Sequence, residues 1–418
     1  MKRIAIIGGG AAGLFCAASL SREFDVTVFE SSDATLKKVC LTGGGRCNFT
    51  NEKIDTGNLA DFYPRGAGNL RKPMRYFGAE SAKNFFKSLG VKSKTEDEGR
   101  VFPVSNDARS IAGALFFAAE KNGVKILTNA RVSAVRQSAG GKFKIESSSP
   151  ATEDFDAVVV AVGGNIDGGL KNSMEDLGIK IEPPAPSLFS IKTADAESAE
   201  WQKLQGTAAE DAELKAKFDS PKKDEREIRA RGALLMAHFG IGGPATLKFS
   251  AFGARVFKNA DYKFPFSVNF IPAFDEQERR KVFIEARETF AKRKISNAPL
   301  FGLSQKLWDY VVGRAAIGDG VIFANLPKKD EQRLLENLSD MKFECVGKSL
   351  HKAEFVTCGG IDRSGIDFSS MKSRKIDNLF FVGECIDIDA VTGGFNLQAA
   401  WTTAKICADF INKSGLNL

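Results

Sequence analysis

The sequence predicts an α/β protein built on a Rossmann-like dinucleotide-binding domain that is interrupted by a second domain. Three observations predict this architecture: a glycine-rich turn after the first apolar run, a second glycine-rich helix start near the end of the chain, and a long region between them without either signal. The 418 residues leave room for two or three domains. With 43% apolar and 27% charged residues, the chain is expected to be globular, not disordered or collagen-like.

The composition excludes several classes of protein. Lys and Arg number 59 against 52 Asp and Glu, a net charge of +7 that permits a polyanionic partner without requiring one. Seven cysteines form no CxxC pair, and the two histidines are His238 and His351, so we expect no metal. His351 has no motif around it. The longest apolar stretch, 157–162, is too short to span a bilayer, and we expect a cytoplasmic protein that makes no membrane contact.

The first motif consists of a strand, a glycine turn and a helix. Residues 3–7 form a short apolar run, and the letters GGGAAG begin at Gly8. Gly8 allows a tight turn, Gly10 lets the backbone approach a pyrophosphate, and Gly13 lets the helix pack on the sheet. The phosphates are then expected at the N-terminus of the helix.

A second strand, 25–29, ends in Glu30, seventeen residues beyond Gly13. A carboxylate at that place can accept hydrogen bonds from ribose hydroxyls. An isolated GxGxxG often marks only a turn, but here the strand, the helix and the acid accompany it. The dinucleotide-binding residues predicted from this half are Gly8, Gly10, Ala11, Ala12, Gly13 and Glu30.

The end of the chain indicates that the dinucleotide is FAD. An apolar run closes on Gly383 and Glu384, and TGGFN then precedes a helix with an apolar stripe at spacings of three and four. Such a helix start faces the flavin pyrimidine edge, where charge accumulates on reduction. An ordinary packing helix explains the stripe but not the glycines. The predicted cofactor residues here are Gly383, Glu384, Asp387, Gly393, Gly394, Phe395, Asn396 and Leu397.

Four strand-like runs lie between the two motifs and predict a small β-meander beside the parallel sheet. They are 124–128, 132–136, 143–146 and 155–162, and the last turns under the cofactor at two glycines. The cofactor residues predicted here are Val132, Val162, Gly163 and Gly164. A second GxGxxG after a strand is missing, so NAD(P)H is expected to bind transiently near the flavin.

Four segments together resemble the BaiN/RdsA family of NAD(P)/FAD-dependent oxidoreductases. They are KVCLTGGGRCNFTN from Lys38, GRVFP from Gly99, GGI from Gly359, and residues 383–398, and the similarity covers essentially the whole chain. The three glycines expose backbone N–H groups beside the cofactor, while Arg46 offers its charge to phosphate or flavin oxygens. The cofactor residues in this segment are Lys38, Gly43, Gly44, Gly45, Arg46, Cys47 and Asn48.

The resemblance implies noncovalent FAD, a flavin domain interrupted by an insert, and reduction of a polarised C=C bond. Family substrates include a uracil of 23S ribosomal RNA and an unsaturated bile-acid steroid. A proline-rich linker at 182–186 and the return of flavin signals near Thr357 agree with an insert.

The predicted ranges are 1–185 and 356–418 for the two parts of the FAD-binding domain and 186–355 for the insert domain. In the insert, strands are predicted at 187–192, 232–237 and 264–270, and helices at 275–292, 304–312 and 328–340. We interpret it as a small β-barrel with a helical subdomain at about 275–340.

Two side chains are candidate catalysts. Cys47 lies beside Arg46, and a nearby cation with exposed N–H groups is expected to lower the pKa of its thiol, which makes it a candidate acid; simple packing is the alternative. His238 lies in a segment that the family writes with Thr before His and Ser before Gly-Pro, where this chain has Ala237 and Gly242. A structural hydrogen bond is the alternative role for this histidine.

Residues 62–77 combine aromatic side chains with four cations and no acid. Stacking rings with interleaved cations suit unpaired nucleotides, although a solvated helix explains the spacing equally well. The predicted substrate-binding residues are Arg65, Arg71, Lys72 and Arg75. The basic clusters at 279–281 and 292–294 are offset by acids and are interpreted as a solvated helix face.

Three functions follow from these observations. The first is an FAD-dependent reductase that uses NAD(P)H and favours a uridine of 23S ribosomal RNA. The second keeps the flavin but acts on a small molecule, an unsaturated steroid enone or an amine. The third is a flavin-stabilised RNA-binding protein without catalysis.

Overall fold

The computed structural model describes residues 1–138, 140–149, 154–164, 166–349 and 356–416. The chain divides into two compact units, residues 1–186 with 352–418, and residues 187–351. The predicted end of the insert at 355 and the predicted incidental His351 both lie outside the described residues.

The strands of the described residues are β1 (Lys2–Ile7), β2 (Phe24–Phe29), β3 (Thr50–Asn51), β4 (Ser93–Thr95), β5 (Arg100–Pro103), β6 (Lys125–Leu127), β7 (Val132–Gln137), β8 (Phe143–Ser147), β9 (Ala157–Val160), β10 (Ile181–Pro186), β11 (Ser190–Thr193), β12 (Ala208–Lys217), β13 (Glu227–Ala237), β14 (Gly240–Gly242), β15 (Phe264–Asn269), β16 (Met341–Ser349), β17 (Thr357–Ile361), β18 (Ile366–Asp367), β19 (Lys372–Ser373) and β20 (Leu379–Phe381). The α-helices are α1 (Ala11–Ser19), α2 (Lys37–Leu41), α3 (Leu59–Phe62), α4 (Ala67–Tyr76), α5 (Ala79–Ser88), α6 (Ala108–Lys121), α7 (Gly168–Asp176), α8 (Ala199–Gln202), α9 (Pro244–Asn259), α10 (Glu276–Thr289), α11 (Gln305–Arg314), α12 (Lys328–Asp340) and α13 (Phe395–Ser414). No α-helix in these described ranges is both long and apolar enough to cross a bilayer.

A seven-stranded sheet organises the first unit, in the order β18-β19-β20-β9-β1-β2-β6. The five strands from β20 to β6 run parallel, and β18 and β19 add an antiparallel edge. The central strands β1 and β9 are buried along almost their whole length, as expected for a parallel sheet covered on both faces. Helix α1 packs against both α13 and α6.

The predicted four-strand meander is wrong in detail. Strands β6 and β9 belong to the large parallel sheet, and only β7 and β8 form a separate antiparallel pair. A single bridge between Phe143 and Phe155 connects this pair to the segment before β9. Short strands therefore alternate between two sheets here, which apolar runs alone do not distinguish.

The proline-rich segment at 182–186 is a strand as well as a linker. It forms β10 and pairs with β17, and the register shifts between Glu182 and Ala185, where two prolines lie. Prolines lack the N–H that a regular ladder requires, which explains the irregularity.

The second unit contains a closed six-stranded barrel in the order β11-β14-β13-β12-β15-β16, accompanied by helices that include the predicted α10, α11 and α12. Its buried core includes Trp201, Phe249 and Trp308. The barrel confirms that part of the predicted fold. Strands β12 and β16 and helix α9 were not predicted. In β12, the alternating alanines and charged residues give a weak apolar signal.

Candidate active site

The glycine turn after β1 has the shape that a dinucleotide requires. A Cβ added to Gly8 would lie 2.4 Å from the carbonyl oxygen of Ala161, and one added to Gly13 would lie 1.9 Å from the carbonyl oxygen of Gly8. A Cβ on Gly10 would meet nothing within 4 Å. The turn is therefore closed where it packs and open where the pyrophosphate is predicted.

Helix α1 follows this turn with no side-chain cap and no acidic residue in its first turn. The backbone N–H groups at its start, at Ala11 and Ala12, are the groups that an α-helix leaves without an internal acceptor. An anionic group at this end is stabilised by those N–H groups and by the helix dipole.

Glu30 follows β2 directly and joins two loops. Its carboxylate accepts hydrogen bonds from the backbone N–H of Gly9 at 2.8 Å and of Ser32 at 2.8 Å. The backbone carbonyl of Glu30 accepts a hydrogen bond from the backbone N–H of Ala130. Val132 follows two residues after Ala130 in the chain. The predicted ribose acid thus lies beside the glycine turn.

The turn, the end of β9 and the end of β20 meet. A Cβ on Gly8 would lie 3.1 Å from the Cα of Val162, and one on Gly383 would lie 2.6 Å from the Cβ of Ala12. The backbone N–H of Gly383 donates to the hydroxyl of Thr403 on α13. Ligands of open α/β sheets bind at the carboxyl ends of parallel strands, and three such ends converge here.

Glu384 lies at this junction. Its carboxylate accepts the backbone N–H of Thr357 at 3.2 Å, and a Cβ on Gly164 would lie 2.8 Å from it. Burial raises the pKa of Glu384, while the nearby ammonium of Lys38 acts in the opposite direction. A Cβ added to Gly163 would lie 3.7 Å from the Glu384 carboxylate and 4.0 Å from the Lys38 ammonium. Thr357 was missed by the sequence analysis because it contributes only a backbone group.

The start of α13 is shaped by its own side chains. Both the N–H and the carbonyl of Ala390 are hydrogen-bonded by the Asn396 amide, each at 2.9 Å. The side chain of Asn396 thus holds the loop that leads into α13, and its contact with the cofactor stays a prediction. Leu397 is half-buried in the first turn, and no side chain caps the helix at Gly394.

Three consecutive glycines of the GGGRCN segment adopt left-handed backbone conformations. Their φ angles are +59° at Gly43, +67° at Gly44 and +84° at Gly45, and all three residues are exposed. A Cβ on Gly44 would meet nothing within 4 Å. The segment therefore presents bare peptide groups, as predicted from its sequence.

The residues after these glycines attach the segment to α13. The side chain of Asn51 donates to the carbonyl of Gly393 at 2.9 Å, and the indole N–H of Trp401 donates to the carbonyl of Phe49 at 2.8 Å. A Cβ on Gly394 would lie 2.8 Å from the amide oxygen of Asn48. The GGGRCN segment and the second glycine motif thus form one structure, although they are far apart in sequence.

Arg46 is paired within the protein. Its guanidinium contacts both carboxylate oxygens of Glu96, at 2.9 and 3.1 Å, and lies 4.0 Å from the ring centre of Phe102. Lys94 contacts the same carboxylate at 3.0 Å, and these two cations hold the pKa of Glu96 below its ordinary value. One acid therefore faces two cations, which leaves a net positive charge beside the exposed glycines.

The expected activation of Cys47 is wrong. The residue is fully buried with a left-handed φ of +60°. Burial raises the pKa of its thiol to about 12, because the apolar surroundings disfavour the thiolate more than its bond with Thr42 favours it. Arg46 does not lower the pKa of Cys47, because its guanidinium is paired with the carboxylate of Glu96. Cys47 is therefore a protonated thiol at neutral pH.

Arg65 is not the surface cation that the sequence predicts. Its side chain is only 8% exposed, and its guanidinium forms a two-pronged ion pair with the fully buried carboxylate of Asp389. Asp387 is likewise buried. Its carboxylate accepts a hydrogen bond from the backbone N–H of Gly359 at 3.0 Å and lies 3.4 Å from the guanidinium of Arg363.

The other three predicted cations lie together on α4. Arg71, Lys72 and Arg75 are exposed, while Leu70 and Met74 on the opposite side of the helix are buried. Among the residues that the structure describes, no carboxylate lies within 4 Å of these three cations. Tyr76, 59% exposed, continues this surface. We call Arg71, Lys72, Arg75 and Tyr76 the α4 surface.

His238 belongs to the second unit. It is exposed in the tight turn between β13 and β14, and its ring contacts Phe239 edge-on at 5.0 Å between centres. Its catalytic role stays a prediction. Over the described ranges, no group of three or more His, Cys, Asp or Glu side chains is placed to hold a metal ion.

Comparison with known proteins decides the family. A family model described as the HI0933-like protein Rossmann domain matches residues 2–410. The chain belongs to this HI0933-like family. The match confirms the resemblance, the Rossmann-type domain and the prediction of an FAD-dependent oxidoreductase.

Two curated relatives match over nearly the whole chain. One is a ribosomal RNA dihydrouridine synthase of Escherichia coli (strain K12), 26% identical over 96% of each chain. The other is a 3-dehydro-bile acid delta(4,6)-reductase of Clostridium scindens, 27% identical over 97% of this chain and 98% of that protein. A solved 3-ketosteroid-delta4-(5alpha)-dehydrogenase from Rhodococcus jostii RHA1 is 13% identical with a TM-score of 0.48, and covers 98% of this chain and 97% of its own.

Proposed function

We propose that this HI0933-like oxidoreductase reduces a polarised C=C bond with electrons from NAD(P)H, and that its favoured substrate is a uridine of 23S ribosomal RNA. The α4 surface carries the proposal, because it lies in the same unit as the glycine turn and presents three cations that form no ion pair with any described carboxylate. One carboxylate, that of Asp409, accepts a hydrogen bond from the hydroxyl of Tyr76 on this surface at 2.6 Å. The name of the Escherichia coli relative supports an RNA substrate.

The chemistry suits a uracil ring. Its C5=C6 bond is polarised by the C4 carbonyl, so that reduction adds a hydride at C6 and a proton at C5 and oxidises NAD(P)H to NAD(P)⁺. The chemistry that FAD supplies when bound is hydride transfer. The same addition saturates an enone, and one type of site therefore serves both classes of substrate.

Different residues of this chain suit different parts of FAD. The open space at Gly10 and the start of α1 suit the pyrophosphate, and Glu30 suits the ribose. Lys38 and Glu384 lie where the three strand ends converge, and the start of α13 offers its N–H groups to the pyrimidine edge.

The proton must come from a group that is protonated at neutral pH. Cys47 lies in the GGGRCN segment and keeps its proton at neutral pH, and we propose it as one donor, with a raised pKa that makes it a weaker acid than the sequence predicts. His238 is the second proposed donor, from an exposed turn of the second unit. Replacing each in turn, Cys47→Ala and His238→Gln, should slow substrate reduction by about 10²-fold for the true donor and leave bound FAD unchanged.

A base in RNA must be unstacked before it can enter an enclosed site. Cations contact the flanking phosphates, and an exposed tyrosine ring offers a stacking surface to a neighbouring base. The α4 surface supplies both, so we propose that it holds the RNA strand beside the splayed uridine.

The test combines cells with purified protein. Dihydrouridine in 23S ribosomal RNA is quantified in cells with and without the gene, and purified protein is given NAD(P)H and ribosomal RNA. We expect dihydrouridine to disappear in the first experiment and to form in the second. Formation of none, with turnover of an unsaturated steroid enone, would replace this proposal with the small-molecule alternative.

A surface variant tests the RNA contact. Arg71→Gln, Lys72→Gln and Arg75→Gln together should weaken RNA binding about tenfold or more and lower the slope of log affinity against log salt by about two. The matched control removes three exposed but ion-paired cations, Arg136→Gln, Arg280→Gln and Lys281→Gln. Equal loss of affinity in both variants would assign the effect to net charge rather than to α4.

The small-molecule alternative rests on the second relative. The bile-acid reductase is as similar to this chain as the RNA-modifying enzyme, and its name specifies a steroid. The predicted non-catalytic RNA-binding function is not proposed further, because the family consists of oxidoreductases.

A further inference from the structure

The buried pair of Arg65 and Asp389 has no part in the function proposed so far. A buried ion pair seldom stabilises a fold more than apolar side chains of similar volume would, because both charges lose their hydration. Two-pronged contact between a guanidinium and a carboxylate does, however, fix the relative orientation of the two groups. The pair therefore contributes more to geometry than to stability.

The two partners lie on segments that serve different purposes. Arg65 is two residues before the start of α4, which carries the proposed RNA contacts. Asp389 lies between Glu384 and the glycines that begin α13. The pair spans 324 positions of sequence and joins the proposed substrate-binding helix to the cofactor loop, residues 383–395.

Neighbouring contacts join the same two segments. The backbone N–H of Val391 donates to the carbonyl of Phe62 at 2.9 Å, and the hydroxyl of Tyr63 donates to the carbonyl of Phe395 at 2.7 Å. The rings of Phe62 and Phe395 stack at 4.3 Å between centres. A Cβ on Gly66 would lie 2.5 Å from the Ile388 side chain. The segment 62–66, which leads directly into α4, is thus attached to the cofactor loop at several points.

We propose that Arg65 and Asp389 are positioning residues that hold α4 in one orientation relative to the cofactor loop, so that a uridine bound through the α4 surface reaches the reacting position. The inference rests on the proposed function. Misplacing a reacting group by about 1 Å is enough to slow an enzyme about 10²-fold, even when the substrate still binds.

The central experiment separates binding from turnover. Asp389→Asn keeps the size of the side chain but removes its charge. Because the α4 cations remain in place, we expect kcat with ribosomal RNA to fall at least tenfold while the Kd for RNA stays within twofold. The triple α4 variant is expected instead to raise the Kd for RNA about tenfold or more, so that the two variants differ at the binding step.

The matched control is Asp211→Asn. Asp211 also forms a two-pronged pair with an arginine, Arg231, at 2.8 and 2.6 Å, but on the surface of the second unit. Loss of this surface ion pair in Asp211→Asn should leave both kcat and Kd unchanged. An unchanged kcat in FAD-loaded Asp389→Asn, or a rise in Kd that accounts for the whole loss, would overturn the proposal.

A second variant covers the case in which Asp389→Asn does not fold, since it leaves the Arg65 charge buried without its carboxylate. The double change Arg65→Gln with Asp389→Asn removes both charges and retains side chains that form hydrogen bonds. We expect it to fold with FAD bound and to recover only part of the lost turnover. Full wild-type kcat in the double variant would show that the ion pair has no positioning role.

Hydrogen exchange tests the attachment without any substrate. In Asp389→Asn the amides of α4 and of the cofactor loop should exchange at least tenfold faster, while those of β1 and β9 stay as in wild type. Unchanged exchange in α4 would refute the attachment whatever the substrate is. Absence of dihydrouridine with wild-type protein would instead refute the RNA substrate, so that the two failures are distinguishable.

Discussion

Two glycine-rich loops of the first unit use the same residue for different physical reasons. In the turn that begins at Gly8, neighbouring backbone excludes side chains. A Cβ added to Gly8 or to Gly13 would lie only 2.4 Å or 1.9 Å, respectively, from a backbone carbonyl oxygen. In the loop from Gly43 to Gly45, all three φ angles are positive, and a Cβ at the middle glycine would meet open space. The first loop needs glycine for close packing at both positions, together with a positive φ of +106° at Gly8, and the second needs it mainly for backbone conformation.

The largest effect is expected at Gly13. Gly13→Val places a branched side chain against the carbonyl oxygen of Gly8, a backbone atom that cannot move without shifting β1 from α1. We expect a loss of about 3 kcal/mol or more in the free energy of unfolding. The measurement is soluble yield and denaturant unfolding. A folded, FAD-loaded variant would contradict the view that this loop is governed by packing.

Gly10→Val should break the cofactor site and spare the fold. Its side chain would enter open space in the protein but would occupy the predicted position of the pyrophosphate. We expect colourless protein with a Tm within a few degrees of wild type, and an FAD affinity reduced at least 10²-fold. The measurements are flavin absorbance and thermal unfolding, and Gly13→Val serves as the contrasting variant.

In the second loop, a matched pair of substitutions separates conformation from contact. Gly44→Ala should cost about 1 kcal/mol, the strain of a left-handed alanine. Gly43→Ala adds a contact of 2.9 Å with the backbone nitrogen of Asn48 and should cost more. Denaturant unfolding measures both. Equal costs would show that strain alone governs this loop.

At neutral pH the smallest effect concerns the buried end of that second loop, at Cys47, because its titration changes stability only above pH 9. Its thiol pKa rises from 9.0 to about 12 on folding, so the folded state retains a proton that the unfolded chain releases. The resulting stability is complete below pH 9 and is lost as the pH rises towards 12, by about 1.4 kcal/mol per pH unit. Cys47→Ser should show a shallower alkaline decline in the free energy of unfolding. Identical slopes in the two proteins would mean that Cys47 does not titrate in this window.

Local motifs were predictable because their physics is local. The glycines of the first turn, the acid after β2 and the start of α13 each follow from a few neighbouring residues. The structure places the first turn and that acid beside the ends of the parallel strands, and it attaches the start of α13 to the segment that follows the GGGRCN glycines. The barrel was predicted mainly through the family resemblance. Strand β12 was missed, because in a barrel small alanines fill inward positions that a sequence pattern does not identify as core.

Side-chain environments were not predictable in the same way. The three cations of the α4 surface and Arg65 look alike in the sequence, yet only Arg65 is buried, against an acid 324 positions away. Arg46, which is predicted to contact the cofactor, is paired with Glu96, fifty positions further along, and the sequence did not indicate this partner. Each outcome depends on a partner that the chain brings near only after folding.

The sequence by itself determined the flavin-type fold and the location of the glycine motifs, because these depend on backbone conformation and on apolar periodicity over a few turns. The family followed from the resemblance of four segments to known proteins. Only the tertiary structure decided which charges are paired, that the thiol of Cys47 is protonated, and that α4 is attached to the cofactor loop through Arg65 and Asp389. Charge pairing and burial are set by distances between residues far apart in the chain, and those distances exist only in the folded protein.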